Sequence, residues 1–284
     1  MSSILWLADY TLDEAPGGAQ RSDDILIKKG RELGHLIYHV THKTLANFSN
    51  FNEYGILITS NIQSILNEKK DVLGQIAAHK NHIRLEHDAN AYLSQQDRAI
   101  LFSNCTKTIF LTEFHYEMFL GLYGDIFKNV AIVPDPIDTN LFFDRKQERK
   151  EVVLYAGYQH ELKGTSSFFE VVLSNPNNKF VISGWSSCHL YRHLSNSISN
   201  LTNLGITPYE NMPDLYNKYK YLYYSPNLQE PLCRSLAEAS LCGMEIICPT
   251  PNRIGCLHDI QKFGLAEFSN RCNNAQNMFW EVVK

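Results

Sequence analysis

The sequence of 284 residues predicts an α/β protein made of two doubly wound, Rossmann-like domains facing each other across a cleft. Three observations carry this. Short apolar runs that suit buried parallel strands alternate with stretches of helical period, over 3–133 and again over 152–283. The first strand of each series runs out into glycine, Gly17-Gly18 in one half and Gly157 in the other. Glycine there lets the backbone approach a ligand at the carboxyl end of a sheet. Between the series, residues 144–150 (D-R-K-Q-E-R-K) carry no apolar side chain and read as a boundary, giving domains 1–146 and 147–284.

Taken in order, a strand at 3–8 leads into a loop at 9–20 that holds Pro16-Gly17-Gly18-Ala19. Ser22-Asp23-Asp24 opens a helix that Gly34 stops, and 36–41 is the next strand. Further strands are expected at 54–60, 83–86, 107–112 and 130–133, with helices at 62–66, 72–79, 95–102 and 113–122. His87-Asp88 follows the strand at 83–86, and Pro134-Asp135-Pro136 makes a rigid turn. The second half reads as strands at 152–156, 180–183, 201–206, 221–225 and 245–248, with helices at 166–173, 213–219 and 273–283. The last helix is expected to pack back on the first domain.

The stretch 225–243 (S-P-N-L-Q-E-P-L-C-R-S-L-A-E-A-S-L-C-G) holds one more helix. Pro231 suits a first helical position and Gly243 a left-handed C-cap. Leu232, Leu236 and Ala239 form its apolar stripe. Its charges run against the helix dipole, with Arg234 in the first turn and Glu238 in the second half. Arginine four residues before glutamate is also the weaker order for a helical ion pair. Either the two form a solvated pair on an exposed face, or the N-terminus meets an anionic ligand through its N–H groups and Arg234.

Composition narrows the function classes. The chain is 44% hydrophobic and 20% charged, with a formal net charge of −4. Residues 1–148 hold 14 Lys and Arg against 19 Asp and Glu, and 149–284 hold 12 against 11, so neither half is a basic nucleic-acid footprint. Seven cysteines, odd in number and without a C-x-x-C pair, suit reduced thiols in a cytoplasmic protein. His189 and His193 lack a third ligand nearby, so no metal site is expected. No run reaches transmembrane length.

Glu230 and Glu238 form an E-x7-E pair at a strand–helix junction, and the flanking sequence resembles that of glycosyltransferase family 4, whose members have the GT-B fold. Four more stretches match in order: Pro16-Gly17-Gly18-Ala19 resembles the N-terminal glycine loop; I-V-P-D-P-I-D (132–138) the turn closing the first domain; L-Y-A-G-Y-Q-H-E-L-K-G (154–164) the second-domain K-G loop; and L-G-I-T-P-Y-E-N-M-P-D-L-Y (204–216) the segment flanking the nucleotide base, with Ile206 beside it. The resemblance implies a role for each. Lys163 would bind the donor diphosphate, capped by backbone N–H groups at Leu232, Cys233, Arg234 and Ser235. Glu230 would lie against the transferred sugar and Glu238 would take the ribose hydroxyls. Gly17, Gly18 and Gly157 would let backbone approach the donor, and His87 would contact the sugar from the first domain.

Two departures stand out. Tyr158 occupies the family's phosphate-binding arginine position, and Cys233 a glycine position, followed by Arg234 where the family is apolar. Arg234 is therefore expected to replace the lost arginine as a diphosphate ligand. The reaction implied is retaining transfer from a nucleoside diphosphate sugar, a UDP-sugar in the first instance, to an acceptor hydroxyl, with Lys163, Arg234 and the helix N-terminus stabilising the leaving group. No D-x-D motif is present, so no divalent metal and no cofactor beyond the donor are expected. A glycan or small molecule is the expected acceptor. Hydroxymethylated DNA and a non-catalytic nucleotide-sugar binder are the alternatives.

Overall fold

The computed structural model describes residues 3–48, 50–69, 71–89 and 94–284. They form two compact units, Met1–Pro136 together with Arg271–Lys284, and Ile137–Asn270.

The first unit contains β1 (Ser3–Leu7), α1 (Gly18–Glu32), β2 (Leu36–Val40), β3 (Ile56–Thr59), α2 (Gln63–Glu68), α3 (Asp71–Ala77), β4 (His82–Leu85), α4 (Gln95–Ser103), β5 (Lys107–Phe110), α5 (Glu113–Tyr123) and β6 (Val130–Ile132). Its sheet is parallel, in the order β2-β1-β3-β4-β5-β6. Every residue of β3 and β4 is buried, as expected of strands covered on both faces. Leu5, Leu7, Val40, Leu57 and Ile76 pack in one core cluster, and Phe102, Phe110, Phe119 and Phe127 in another.

The second unit contains β7 (Lys150–Ala156), α6 (Thr165–Ser174), β8 (Phe180–Ser183), α7 (His189–Ser197), β9 (Leu201–Asn203), α8 (Met212–Lys218), β10 (Tyr219–Tyr223), α9 (Arg234–Leu241), β11 (Glu245–Ile247), α10 (Gly255–Phe263) and the start of α11 (Leu265–Val283). Its parallel sheet has the order β11-β10-β7-β8-β9. Tyr155, Phe168, Phe180, Ile182 and Tyr223 build its core.

Several elements differ from the sequence expectation. α1 starts at Gly18, not Ser22: Gly17 is its N-cap and accepts the Arg21 N–H at 3.1 Å. The glycine pair thus opens the helix instead of forming a loop. α7 and α10 were not legible in the sequence, since α7 buries only Tyr191 and Ser195 and α10 only Gly255, Cys256 and Asp259. β9 stops at Asn203, short of 206, because Gly205 turns the chain at φ +66°.

The charged run 144–150 is no linker. The Arg149 guanidinium donates to the carbonyls of Gly243 at 2.8 Å and Cys242 at 2.5 Å, and Arg145 N–H donates to Asn217 Oδ1 at 3.0 Å. These bonds sew it into the second unit, and the division falls earlier, between Pro136 and Ile137. α11 begins at Leu265, ahead of the expected 273, and its residues from Arg271 belong to the first unit. There Trp280 Nε1 donates to Leu26 O at 2.9 Å, and a Cβ on Gly30 would stand 2.1 Å from the indole, so glycine is required under it.

Candidate active site

The strand order of the second sheet reverses beside β7, whose successor β8 lies on one flank while β10 lies on the other. Doubly wound sheets hold ligands outside the carboxyl ends at such a reversal. Lys163 follows β7 there, and Glu230 and α9 follow β10.

Gly164 brings these segments together. It sits at φ +77°, and a Cβ on it would lie 1.9 Å from the Ser225 carbonyl oxygen. Lys163 Nζ donates to Glu230 Oε1 at 2.6 Å, and the Tyr224 hydroxyl donates to the same oxygen at 2.8 Å. Burial, with Cys233 and Glu230 close by, raises the Tyr224 pKa well above the phenol range, so Tyr224 stays a proton donor. The backbone fixes Glu230 as well: its N–H donates to Arg253 O at 2.7 Å and its carbonyl accepts from Gly255 N–H at 2.9 Å. The Lys163 side chain is 40% exposed and that of Glu230 only 11%, so the cation is the outward member of the pair.

That backbone bridge also delays the helix. α9 begins at Arg234, three residues beyond Pro231, because Glu230 pairs with Ile254 and Cys233 adopts φ +68°. Cys233 keeps a glycine's conformation without being glycine. Leu232 and Cys233 are buried ahead of the helix, so the expected N–H cradle shifts to Arg234 and Ser235. No side chain caps α9 by a hydrogen bond at Cys233. A helix start points its first N–H groups out along the axis, the direction from which an anion approaches. Gly157, at φ +134°, faces this end of α9, with Ser235 Oγ 3.9 Å from where its Cβ would be. Gly243 closes the helix at φ +78°, as its C-cap position implies.

Arg234 does not point out of the helix toward an anion. Its Nε donates to Glu238 Oε1 at 2.8 Å, its Nη2 to the Tyr209 hydroxyl at 3.2 Å, and Tyr209 in turn donates to Glu238 Oε1 at 2.8 Å. The pair is buried, with side chains 9% and 4% exposed, so it is not the solvated pair of an exposed face either. A carboxylate this far from water requires partners. Arg234 supplies one, which is the physical reason it turns back along its own helix.

The remaining expected residues lie elsewhere. Ile206 stands 69% exposed in the loop after β9. Gly17 and Gly18 both keep φ outside the left-handed region, so torsion alone does not demand glycine at either. His87, in the first unit, is buried with Nε2 3.4 Å from Asp23 Oδ1 and Nδ1 3.5 Å from Asp135 Oδ1. Burial disfavours its charge, but Asp23, Asp135 and Asp88 outweigh that, and its pKa rises above the ordinary 6.5. Both ring nitrogens thus lie within 3.5 Å of a carboxylate, between α1 and the turn at Asp135, although Nε2 and Asp135 Oδ1 make no hydrogen bond among the described residues.

No family profile matches the chain, and no curated protein matches it by sequence. Solved structures do. Alr3699/HepE of Anabaena, in complex with UDP and glucose, shares 14% identity at a TM-score of 0.67 over 99% of this chain and 95% of that one. Sucrose-phosphate synthase (tll1590) from Thermosynechococcus elongatus shares 11% at 0.67 over 100% and 94%. AviGT4, a glycosyltransferase involved in avilamycin A biosynthesis, shares 13% at 0.60 over 100% and 94%. The fold is GT-B.

In this GT-B chain, sequence reasoning overlooked the residues that hold the expected ones. Tyr224 steadies Glu230 and Tyr209 steadies Glu238. Tyr209 lies inside the 204–216 match, and Tyr224 just before S-P-N, but nothing in either spacing says which carboxylate each reaches. Tyr224 directly follows β10 and Tyr209 opens a short turn well beyond β9, and a tyrosine in either place is more often core.

Proposed function

We propose that the chain is a retaining glycosyltransferase that moves a sugar from a nucleoside diphosphate sugar, a UDP-sugar in preference, to a hydroxyl of a glycan or small molecule. The observation that carries this is the meeting of Lys163, Glu230 and the N-terminus of α9 at the strand-order reversal of a GT-B sheet. As the glycosidic bond breaks, charge builds on the diphosphate. The Lys163 ammonium and the first N–H groups of α9 stabilise it in place, which is electrostatic catalysis by preorganised donors. An ammonium has three N–H donors, so Lys163 bonds a phosphate oxygen while keeping Glu230.

Glu230 lies against the sugar in this reading, and Glu238 takes the ribose hydroxyls. Arg234 orients Glu238 and does not replace the family's phosphate arginine. Positive charge comes from Lys163 and the helix, so no divalent metal and no further cofactor take part. The departing phosphate oxygen takes the acceptor's proton. His87 acts by positioning. HepE has been crystallised with UDP-glucose, which supports the choice of donor. The buried Asp9, Asp23 and Asp135 and the partly exposed Asp88 crowd the carboxyl end of the first sheet, which disfavours a DNA phosphate backbone there. No helix among the described residues is long and apolar enough to cross a membrane.

A thermal-shift panel of nucleoside diphosphate sugars tests the reading, followed by incubation of any stabilising donor with acceptor mixtures. The expected result is stabilisation by a UDP-sugar, loss of it in Glu238→Gln, and release of UDP when acceptor is present. If no nucleoside diphosphate sugar shifts the melting temperature, the proposal fails. Binding without turnover on any acceptor would leave a nucleotide-sugar binding protein.

A further inference from the structure

Two loops meet at the carboxyl ends of β7 and β10, and they are fastened by more than the pairing of Lys163 with Glu230. One is the tight turn Glu161–Lys163, which ends at Gly164, and the other runs over 225–230. Asn227 joins the two through three hydrogen bonds. Its main-chain N–H donates to the Leu162 carbonyl at 3.0 Å, and its Nδ2 donates to the Glu161 carbonyl at 2.9 Å and to Glu161 Oε1 at 3.1 Å. On the other side of Lys163, Gly164 has the Ser225 carbonyl against it. The residues before and after the lysine are therefore fixed to one short segment, and Glu230 follows in the same loop.

Both halves of this clasp are themselves held. Glu161 Oε2 accepts the Tyr191 hydroxyl at 2.5 Å and also the Ser166 hydroxyl, so the carboxylate has a settled orientation that turns Oε1 to Asn227. The Ser166 and Tyr191 hydroxyls, with Asn227, lower the Glu161 pKa and keep it ionised. On the other loop, Arg253 Nη1 donates to the Pro226 carbonyl at 3.1 Å, next to Asn227. Yet Glu161 and Asn227 are both exposed. An exposed amide can bond water at little cost, but here both N–H donors of the Asn227 side chain go to Glu161.

Resting on the proposed function, we infer that Asn227 is a positioning residue: with Glu161 it sets the Lys163 ammonium on Glu230, where it meets the departing diphosphate. A lysine side chain is long and has many rotamers, so where its ammonium rests depends on how firmly its main chain is held. Charge on the diphosphate grows as the glycosidic bond breaks, so a misplaced ammonium costs more in the transition state than in the ground state. The family resemblance gives roles to Lys163 and Glu230 but none to Glu161 or Asn227.

Two readouts test this, and one needs no reaction. On labelling with an amine-reactive ester, followed by peptide mass mapping, Lys163 should react severalfold faster in Asn227→Ala than in the wild type, with the other lysines unchanged. In turnover of a UDP-sugar the same variant should lose about tenfold in kcat, the worth of one hydrogen bond, with little change in the donor KM or in the melting temperature. Asn227→Asp sets two carboxylates together and should be at least as impaired, with a defect that shrinks as pH falls and the pair comes to share a proton. Adding Glu161→Gln to Asn227→Asp exchanges amide and carboxylate and should restore both readouts. Unchanged labelling of Lys163 in Asn227→Ala overturns the inference, and so does a double variant as impaired as Asn227→Asp alone. Faster labelling of Lys163 in Asn227→Ala, with no nucleoside diphosphate sugar bound by the wild type, keeps the clasp and overturns only the glycosyltransferase reading.

Discussion

The two sheets end in the same kind of place and use it in opposite ways. Each is parallel, and in each the strand order reverses beside its first strand. At the first reversal the protein fills the crevice itself. Asp9 Oδ2 and Oδ1 accept the Ser64 and Ile65 N–H groups at the start of α2, both at 2.9 Å, where an anionic ligand would otherwise sit. Behind it Arg84, 1% exposed, grips Glu86 Oε2 through Nε and Nη2 at 3.1 and 2.9 Å and also bonds the Ser60 carbonyl. Ser60 Oγ donates to Asp23 at 2.9 Å. At the second reversal Cys233, the N-cap of α9, makes no capping hydrogen bond, Lys163 is half-exposed, and Tyr158 and Trp185 stand exposed. A helix start at a strand-order reversal is thus not enough to mark a ligand site. What decides is whether the protein has already supplied the anion.

This contrast can be broken by mutation, and the largest effect belongs to the closed end. Arg84→Ala leaves Glu86 charged and buried without its partner, which should cost about 3–5 kcal/mol in urea unfolding. Burial opposes the charge on Glu86, but Arg84, Arg98 and His115 more than offset it and bring its pKa down to about 2. A depressed carboxyl contributes stability above its ordinary 4.5 that is lost as pH falls toward about 2, so wild type should weaken over that acid window. Arg84→Ala should weaken less steeply there.

Next comes Gly164→Ala. Left-handed torsion and the clash with Ser225 O should together cost at least about 2 kcal/mol and displace Lys163. Glu238→Gln, at the open end, leaves the buried Arg234 guanidinium facing an amide, so it should lower the melting temperature and also weaken UDP binding by about tenfold to a hundredfold, the worth of a hydrogen bond to a charged group. A large loss of stability with unchanged affinity would place Glu238 with the closed end instead.

His87 gives a smaller, pH-dependent effect. Its folded pKa is raised, so its contribution is full below the ordinary 6.5 and is lost as pH rises through the folded value. Melting temperature should therefore fall on the alkaline side of neutrality, and Asp135→Asn should flatten that fall. The smallest effect is expected at Cys233→Gly. It relieves the φ +68° of a residue with a Cβ and should stabilise by up to about 1 kcal/mol without changing nucleotide affinity.

Much of the frame was legible in the chain. Strands at 3–8, 152–156 and 180–183 are short, apolar and bounded by polar or glycine residues, and both sheets are there. The K-G and E-x7-E stretches, through their resemblance to the family's motifs, pointed to the segments that meet at Lys163 and Glu230. The charged run 144–150 misled, since its arginines find carbonyl partners nearly a hundred residues away at Cys242 and Gly243. Pro231 misled too, since the partner that keeps it out of the helix is Ile254.

From sequence alone, then, came the α/β class, the two halves and the identity of Lys163, Glu230, Arg234 and Glu238 as the residues to watch. The class and the halves rest on period and composition, and Arg234 and Glu238 on their placement against the helix dipole, which are properties of neighbours in the chain; Lys163 and Glu230 were singled out by the family resemblance. Where each charge points was decided only by tertiary packing. Arg234 turns to Glu238, Lys163 to Glu230, and His87 between two aspartates, because a buried charge takes whichever partner the fold brings within reach.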